Sequence, residues 1–138
     1  MALDTWLVDK SAYVRLGSSP VFDTWIERIE RGLVRISIVT SLEIGYSFTS
    51  HSDSFVERSS GLLGLLIPDH ITPAIENRAI EVQQKLLESG LHRAVAIPDL
   101  IVAATAEVLG RKVLHFDKDF DLIASYTGQP VERLLLDA

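Results

Sequence analysis

Three short apolar runs each give way at once to a stretch with helical spacing, and this alternation restricts the fold more than any other feature of the chain. Residues 5–8 (TWLV), 34–39 (VRISIV) and 112–116 (KVLHF) read as strands. Phe22, Trp25, Ile26, Ile29 and Leu33 recur at helical spacing after Pro20, with Gly32 near the end of that stretch. Thr40 reads as the N-cap of a helix over TSLEIGYSF, and a further helix is expected over 53–65. Thr72 and Pro73 open the clearest helix, whose stripe of Ile75, Ala79, Val82 and Leu86 runs to Gly90. A second Pro-opened helix covers 97–110 and carries no charge between Asp99 and Glu107, which marks it as buried on most sides. A last helix over 118–128 and an edge strand within 130–136 complete the pattern. Strands that alternate with helices run parallel and need cover on both faces. The expectation is one α/β domain over residues 1–138, with a central, mostly parallel sheet flanked by helices.

Composition narrows the function. Thirteen basic residues against nineteen acidic ones give a formal net charge of −6, the reverse of a protein that holds nucleic acid by a basic surface. Any contact with nucleic acid then needs a local patch, or a metal ion that reverses the sign of the site. The absence of cysteine removes disulfides and thiolate chemistry. The apolar run at 61–67 is too short to cross a bilayer and no leader pattern opens the chain, so a cytoplasmic setting without a membrane is expected. A hydrophobic share of 47% and a mean hydropathy of +0.22 suggest a greasy face covered by a partner.

In open parallel sheets, ligands bind beyond the carboxyl ends of the strands. Asp9 directly follows the first strand, and Asp117 directly follows the third, with Asp119 two residues on. Glu43 falls in the expected first turn of its helix and Asp99 in the first turn of the uncharged one. Each acid has a local explanation: Asp9 as an N-cap, Glu43 as the partner of Thr40 in a capping box, Asp99 at a helix N-terminus, and Asp117 and Asp119 in a solvated turn. Together they are harder to explain. Two carboxylates about 4 Å apart repel by roughly 4 kcal/mol at an effective dielectric near 20, and no Lys or Arg lies within four positions of Asp99. A hard cation bound by oxygens, Mg²⁺ or Mn²⁺, offsets that repulsion. His51, His70, His92 and His115 show no zinc-like spacing, and His115 reads as a strand-end residue beside the site.

The order Asp9, Glu43, Asp99, Asp117 resembles that of PIN-domain nucleases, and more narrowly of the VapC toxins of VapBC toxin–antitoxin modules. LVDKSAYVRL is similar to the family's opening strand with its Asp-x-Ser-Ala signature, and TSLEIGYS to the segment with its glutamate and following glycine. IPDLIVAATAEVLGRKVLHFDKDFDLIA is similar to the family's most specific block. Lys10, where threonine is frequent, and His115, where threonine or serine often precedes the last acids, depart from the pattern without removing a carboxylate. The resemblance implies a PIN-like three-layer fold and a metal-dependent endoribonuclease. Asp9 and Asp99 would hold the ion, Glu43 a second ion or the attacking water, and Asp117, helped by Asp119, would close the cup. Ser11 would fix a carboxylate by a hydrogen bond, or cap a helix. Arg15, Arg93, Arg111, Lys112 and Lys118 are candidate RNA phosphate contacts, each set against a plain surface charge. Trp6 and Trp25 read as core or interface. The resemblance further implies a homodimer and a VapB-type antitoxin seated on an apolar groove, for which Leu62, Leu63, Leu65 and Leu66 are candidates unless they form a core stripe.

Other classes fit less well. A receiver domain pairs acids after its first strand and places a lysine after its last, whereas Asp9 has Lys10 beside it and Lys112 opens its strand. A haloacid-dehalogenase-type phosphatase needs Asp-x-Asp where DKS stands. An RNA-processing PIN nuclease outside a toxin–antitoxin module, or a non-cutting binding protein on the same fold, remains as the alternative.

Overall fold

All four strand pairings in the computed structural model, which describes residues 3–137, are parallel. Residues 1, 2 and 138 of the expected domain lie outside the described residues. The strands are β1 (Trp6–Val8), β2 (Val34–Ser37), β3 (Ile67–Asp69), β4 (Lys112–His115) and β5 (Val131–Arg133), in the order β3-β2-β1-β4-β5. The helices are α1 (Lys10–Tyr13), α2 (Phe22–Glu30), α3 (Ile38–Tyr46), α4 (His51–Ser60), α5 (Leu62–Leu65), α6 (Pro73–Glu88), α7 (Ile97–Leu109) and α8 (Lys118–Thr127).

The three central strands β1, β2 and β4 are short and mostly buried, which explains why they read as apolar runs. Side chains alternate along a strand. Trp6 and Val8 therefore enter one core with Val34, Ile36 and Leu114, where Trp25 and Ile29 of α2 cover them. Leu7 and Val113 enter the other core, beneath Val82 and Leu86 of α6, Ala103 and Ala106 of α7, and Phe120 and Ile123 of α8. The small side chains of α7 let it lie close to the sheet. Gly110 ends that helix at φ 71°, in the left-handed region where a side chain would be strained. Trp6 and Trp25 meet edge to face at 5.1 Å with the Arg28 guanidinium over both rings, so they are core residues.

Several expectations need correction. The second strand stops at Ser37, not residue 39, because the Ser37 hydroxyl accepts the Val39 N–H (3.2 Å) and caps α3 there. Thr40 is thus buried inside α3 instead of capping it, and Glu43 is its sixth residue, too far along for a capping box. The expected helix over 53–65 breaks at the extended Gly61 into α4 and α5. Leu63 and Leu66 go into the core and Leu62 packs against it, which leaves only Leu65 of the four groove candidates exposed. The strand β3 is not among the expected elements; its Pro68 is tolerated because β3 lies at the sheet edge.

Chain order reverses between β1 and β4: β2 and β3 lie on one side, β5 on the other. The carboxyl ends of β1 and β4 therefore flank a crevice at the switch point, the usual ligand position in such sheets.

Candidate active site

Asp9 leaves β1 at this crevice and caps α1. Its Oδ2 accepts both the Ser11 N–H (3.0 Å) and the Ser11 hydroxyl (2.6 Å). The same Ser11 oxygen accepts the Phe116 N–H at 2.9 Å, so one hydroxyl ties the end of β1 to the end of β4. The two readings of Ser11 resolve in favour of a hydrogen-bond partner; Asp9 is the cap. Asp117 caps α8 by accepting the Asp119 N–H (2.9 Å). Asp119 in turn accepts the Ala96 N–H (3.1 Å), which fixes the loop that leads into α7.

Asp99 projects from the first turn of α7 and is only 6% exposed. One oxygen from each of Asp99, Asp117 and Asp119 lies within 4.8 Å of the other two. Burial first, then a hydrogen bond with Asp119 and the charges of Asp9, Asp117 and Asp119, push the Asp99 carboxyl up to about 8. Burial and the Asp9 charge also raise Glu43, against an opposing contribution from Lys10. The Glu43 Oε1 is buried and has no hydrogen-bond partner among the described residues. A cleft of about 280 Å³ joins these groups; Asp9, Lys10, Ser11, Arg15, Glu43, Asp99 and Asp117 all line it.

Asp9, Glu43, Asp99 and Asp117 thus come together as expected, and Asp119 belongs fully to the cluster. The third aspartate of the DKDFD run does not. One turn into α8, Asp121 faces His115 Nε2 at 3.6 Å and Arg133 at 3.9 Å. His115 is fully buried; its Nδ1 accepts the Asp117 N–H (3.2 Å) and burial lowers its pKa, so it is a neutral support of the loop. Arg15 reaches the cleft, held by its bond to the Ser11 carbonyl (2.7 Å). Arg93 is exposed in the loop before α7, and Lys118 is exposed at the first position of α8, directly after Asp117. Arg111 and Lys112 lie at the amino end of β4, away from Asp117. Arg111 is spent on a bidentate pair with Asp69 (2.6 and 3.1 Å), and Lys112 pairs with Asp4 at 3.2 Å. They are not brought to the acids. Lys10, noted in the sequence only as a departure, lies at the cleft wall with its ammonium donating to Ser47 (2.8 Å).

Oxygen donors alone, a carboxyl raised by burial and by neighbouring acids, and a buried orphan Oε1 match the demands of a small divalent cation such as Mg²⁺ or Mn²⁺. The residues fit the ion.

Comparison with known proteins bears on the family and the fold. A PIN domain family model matches residues 6–126. The chain is 52% identical over 129 residues to Ribonuclease VapC2 of Mycobacterium tuberculosis (strain CDC 1551 / Oshkosh), covering 94% of this chain and 92% of the relative. It is 41% identical over 130 residues to Ribonuclease VapC21 of Mycobacterium tuberculosis (strain ATCC 25618 / H37Rv), with 92% and 91% covered. Among solved structures, VapBC2 from Rickettsia felis bound to a promoter DNA fragment superposes with a TM-score of 0.75 at 13% identity, covering 94% of this chain and 98% of that one. VapBC from Salmonella typhimurium, also DNA-bound, gives 0.75 at 14%, with 95% and 98% covered. At such low identity those two speak to the fold, which is the PIN-like parallel sheet between helices. Profile, relatives and fold converge: the chain belongs to the PIN-domain family and falls among the VapC ribonucleases.

Proposed function

We propose that the chain is a Mg²⁺- or Mn²⁺-dependent endoribonuclease, the toxin of a type II toxin–antitoxin pair, hydrolysing RNA phosphodiester bonds at Asp9, Glu43, Asp99 and Asp117. The observation that carries the reading is the convergence of these carboxyls, with Asp119, on one cleft at the switch point. A divalent ion in that cleft supplies a bound water of lowered pKa and offsets charge on the attacked phosphoryl group. Asp9 and Asp99 hold the ion, and the unpartnered Oε1 of Glu43 is available to it or to the attacking water. Ser11 fixes the Asp9 carboxylate, and Asp119 fixes the entry to α7 and so the place of Asp99. Arg15 stands at the cleft to meet a phosphate.

The names of the relatives support ribonuclease activity, and the VapBC complexes among the structural neighbours support a VapB-type antitoxin as partner; the homodimer is carried over from the family resemblance alone. Exposed Phe55 and Val56 on α4 and Leu65 on α5 offer an apolar surface for such a partner. No helix of the described residues is long and apolar enough to cross a membrane, which suits a cytoplasmic setting.

The test incubates the partner-free chain with structured RNA in Mg²⁺, in Mn²⁺ and in EDTA, beside Asp99→Asn. Cleavage in metal alone, absent in the variant, is expected. Failure to cut any RNA of a broad panel, together with no divalent-ion binding by calorimetry, would return the acids to a purely structural role.

A further inference from the structure

The wall of the acidic cleft contains two cationic side chains, Arg15 and Lys10, and they serve different parts of it. Arg15 belongs to the side of Asp117: its guanidinium donates to the Ser11 carbonyl at 2.7 Å and stands 5.2 Å from the centroid of the Phe116 ring. Lys10 belongs to the side of Glu43. The two residues line the cleft together, and together they line an apolar depression that continues from it along Val39, Leu42 and Tyr46 of α3. The Lys10 ammonium donates to Ser47 Oγ at 2.8 Å, and that oxygen lies 3.5 Å from the backbone carbonyl of Glu43, one turn earlier. The ammonium is thereby tethered to the turn that carries the Glu43 carboxyl. Its charge counters the rise that burial and Asp9 impose on that carboxyl. No direct ion pair consumes the acid, since the buried Oε1 of Glu43 has no partner.

The acids themselves fall into two sets. Asp99, Asp117 and Asp119 bring one oxygen each within 4.8 Å of the others, close enough to share an ion, and Glu43 is not part of that group. Two-ion hydrolytic centres hold their metals about 3.5–4 Å apart, and each metal needs carboxylates of its own. Asp9 and Glu43 are the carboxylates of the cleft left over for a second ion. Beside them a compact, fixed ammonium already supplies positive charge, and it repels a dication brought to the same place. We propose that Lys10 takes the place of a second divalent ion: the centre binds one ion, and the ammonium compensates Glu43, whose carboxyl then serves the attacking water and not a metal. Lys10 is a positioning residue in this scheme. The inference rests on the ribonuclease reading and deepens it.

The experiment counts ions directly. Mn²⁺ bound per folded chain is measured by calorimetric titration and by the electron paramagnetic resonance of the free ion, for the wild type, Lys10→Gln and Lys10→Arg. Cleavage of structured RNA is followed in parallel over a range of Mg²⁺. The wild type and Lys10→Arg should bind one Mn²⁺ and show a hyperbolic dependence of rate on Mg²⁺. Lys10→Gln should bind a second Mn²⁺. Its cleavage at low Mg²⁺ should fall about ten-fold or more and recover at high Mg²⁺, with a dependence steeper than first order as an ion replaces the ammonium. A lysine that only tethers α1 to Ser47 would change the melting temperature and leave the ion count alone. Two Mn²⁺ bound by a wild type that cuts RNA overturn the proposal and leave the ribonuclease reading intact. So does a folded Lys10→Gln that still binds one ion with an unaltered Mg²⁺ dependence. A wild type that binds no Mn²⁺ and cuts no RNA overturns the ribonuclease reading and this inference with it.

Discussion

Substituting Asp99 by Asn should make the metal-free protein more stable. The Asp99 carboxyl is raised from 3.8 to about 8 by burial, by its bond to Asp119 and by three neighbouring acids. The folded state then holds a proton that the unfolded state has lost. For a raised carboxyl, the stability is fully present below the unfolded pKa and is lost as pH rises through the folded one. His115, lowered by burial, has the opposite slope but acts only as pH falls below its ordinary 6.5. Between pH 6.5 and 8 the slope belongs to Asp99. Integrating the bound proton over that window gives a loss of about 1.5 kcal/mol, or about 5 °C in Tm for a chain of this length. Asp99→Asn should show no such fall. At pH 8 in EDTA it should exceed the wild type by about 3 kcal/mol, since water entering the cleft relieves part of the roughly 5 kcal/mol that the full displacement is worth. Mg²⁺ at a hundred times its dissociation constant should return about 2.7 kcal/mol to the wild type and nothing to the variant. The assay is urea unfolding at pH 6.5, 7.25 and 8, with EDTA or Mg²⁺. Wild-type stability that stays level or rises over this window in EDTA, with a less stable variant, refutes the account of a cleft strained by its own charges.

Two further substitutions test one support of the cleft and one ion pair away from it. Ser11→Ala removes the hydroxyl that joins Asp9 to the Phe116 N–H; RNA cleavage or Mg²⁺ affinity should drop about ten-fold or more and stability by about 1 kcal/mol, read by calorimetric titration and melting. Asp69→Asn leaves the Arg111 guanidinium without its carboxylate in a mostly buried setting; stability should fall by about 3 kcal/mol in urea, while cleavage per folded molecule stays at the wild-type rate, because neither residue serves the acidic cleft.

The parts of the site that local chemistry fixes were readable from the residues. A strand that ends in an acid needs only its apolar run and its carboxylate, and Asp9 and Asp117 follow β1 and β4 as expected. Parts that depend on a distant partner were not readable. Ile38 and Val39 are β-branched and continue a strand by propensity, yet the Ser37 cap starts α3 there. Ile67–Asp69 becomes a strand only by pairing with β2. Arg111 and Lys112 stand close to Asp117 in sequence, but an extended chain rises about 3.3 Å per residue, so five residues put roughly 16 Å between Lys112 and Asp117. Asp117, Asp119 and Asp121 look equivalent along the chain. Helical rotation separates them, sending Asp121 to His115 and Arg133 while Asp119 joins the cup. Lys10 and Tyr46 gave no signal, because the wall they share exists only once α1 packs beside α3.

Capping and catalysis need not compete for the same carboxylate, and Asp117 allows the two to be separated. One oxygen of Asp117 accepts the Asp119 N–H, and this fixes the side chain at the mouth of the cleft without occupying the other oxygen. The local explanation of the residue is therefore correct and also explains how the functional group is aimed. Asn caps a helix about as well as Asp. Asp117→Asn should then keep the cap, leave Tm nearly unchanged and lose metal-dependent cleavage with the charge. Asp117→Ala loses both, and should cost about 1 kcal/mol, or about 3 °C, besides the activity. Cleavage that survives in Asp117→Asn and fails only in Asp117→Ala would mean that the fold requires the cap and the chemistry does not require the carboxylate. The cup would then close on Asp9, Asp99, Glu43 and Asp119.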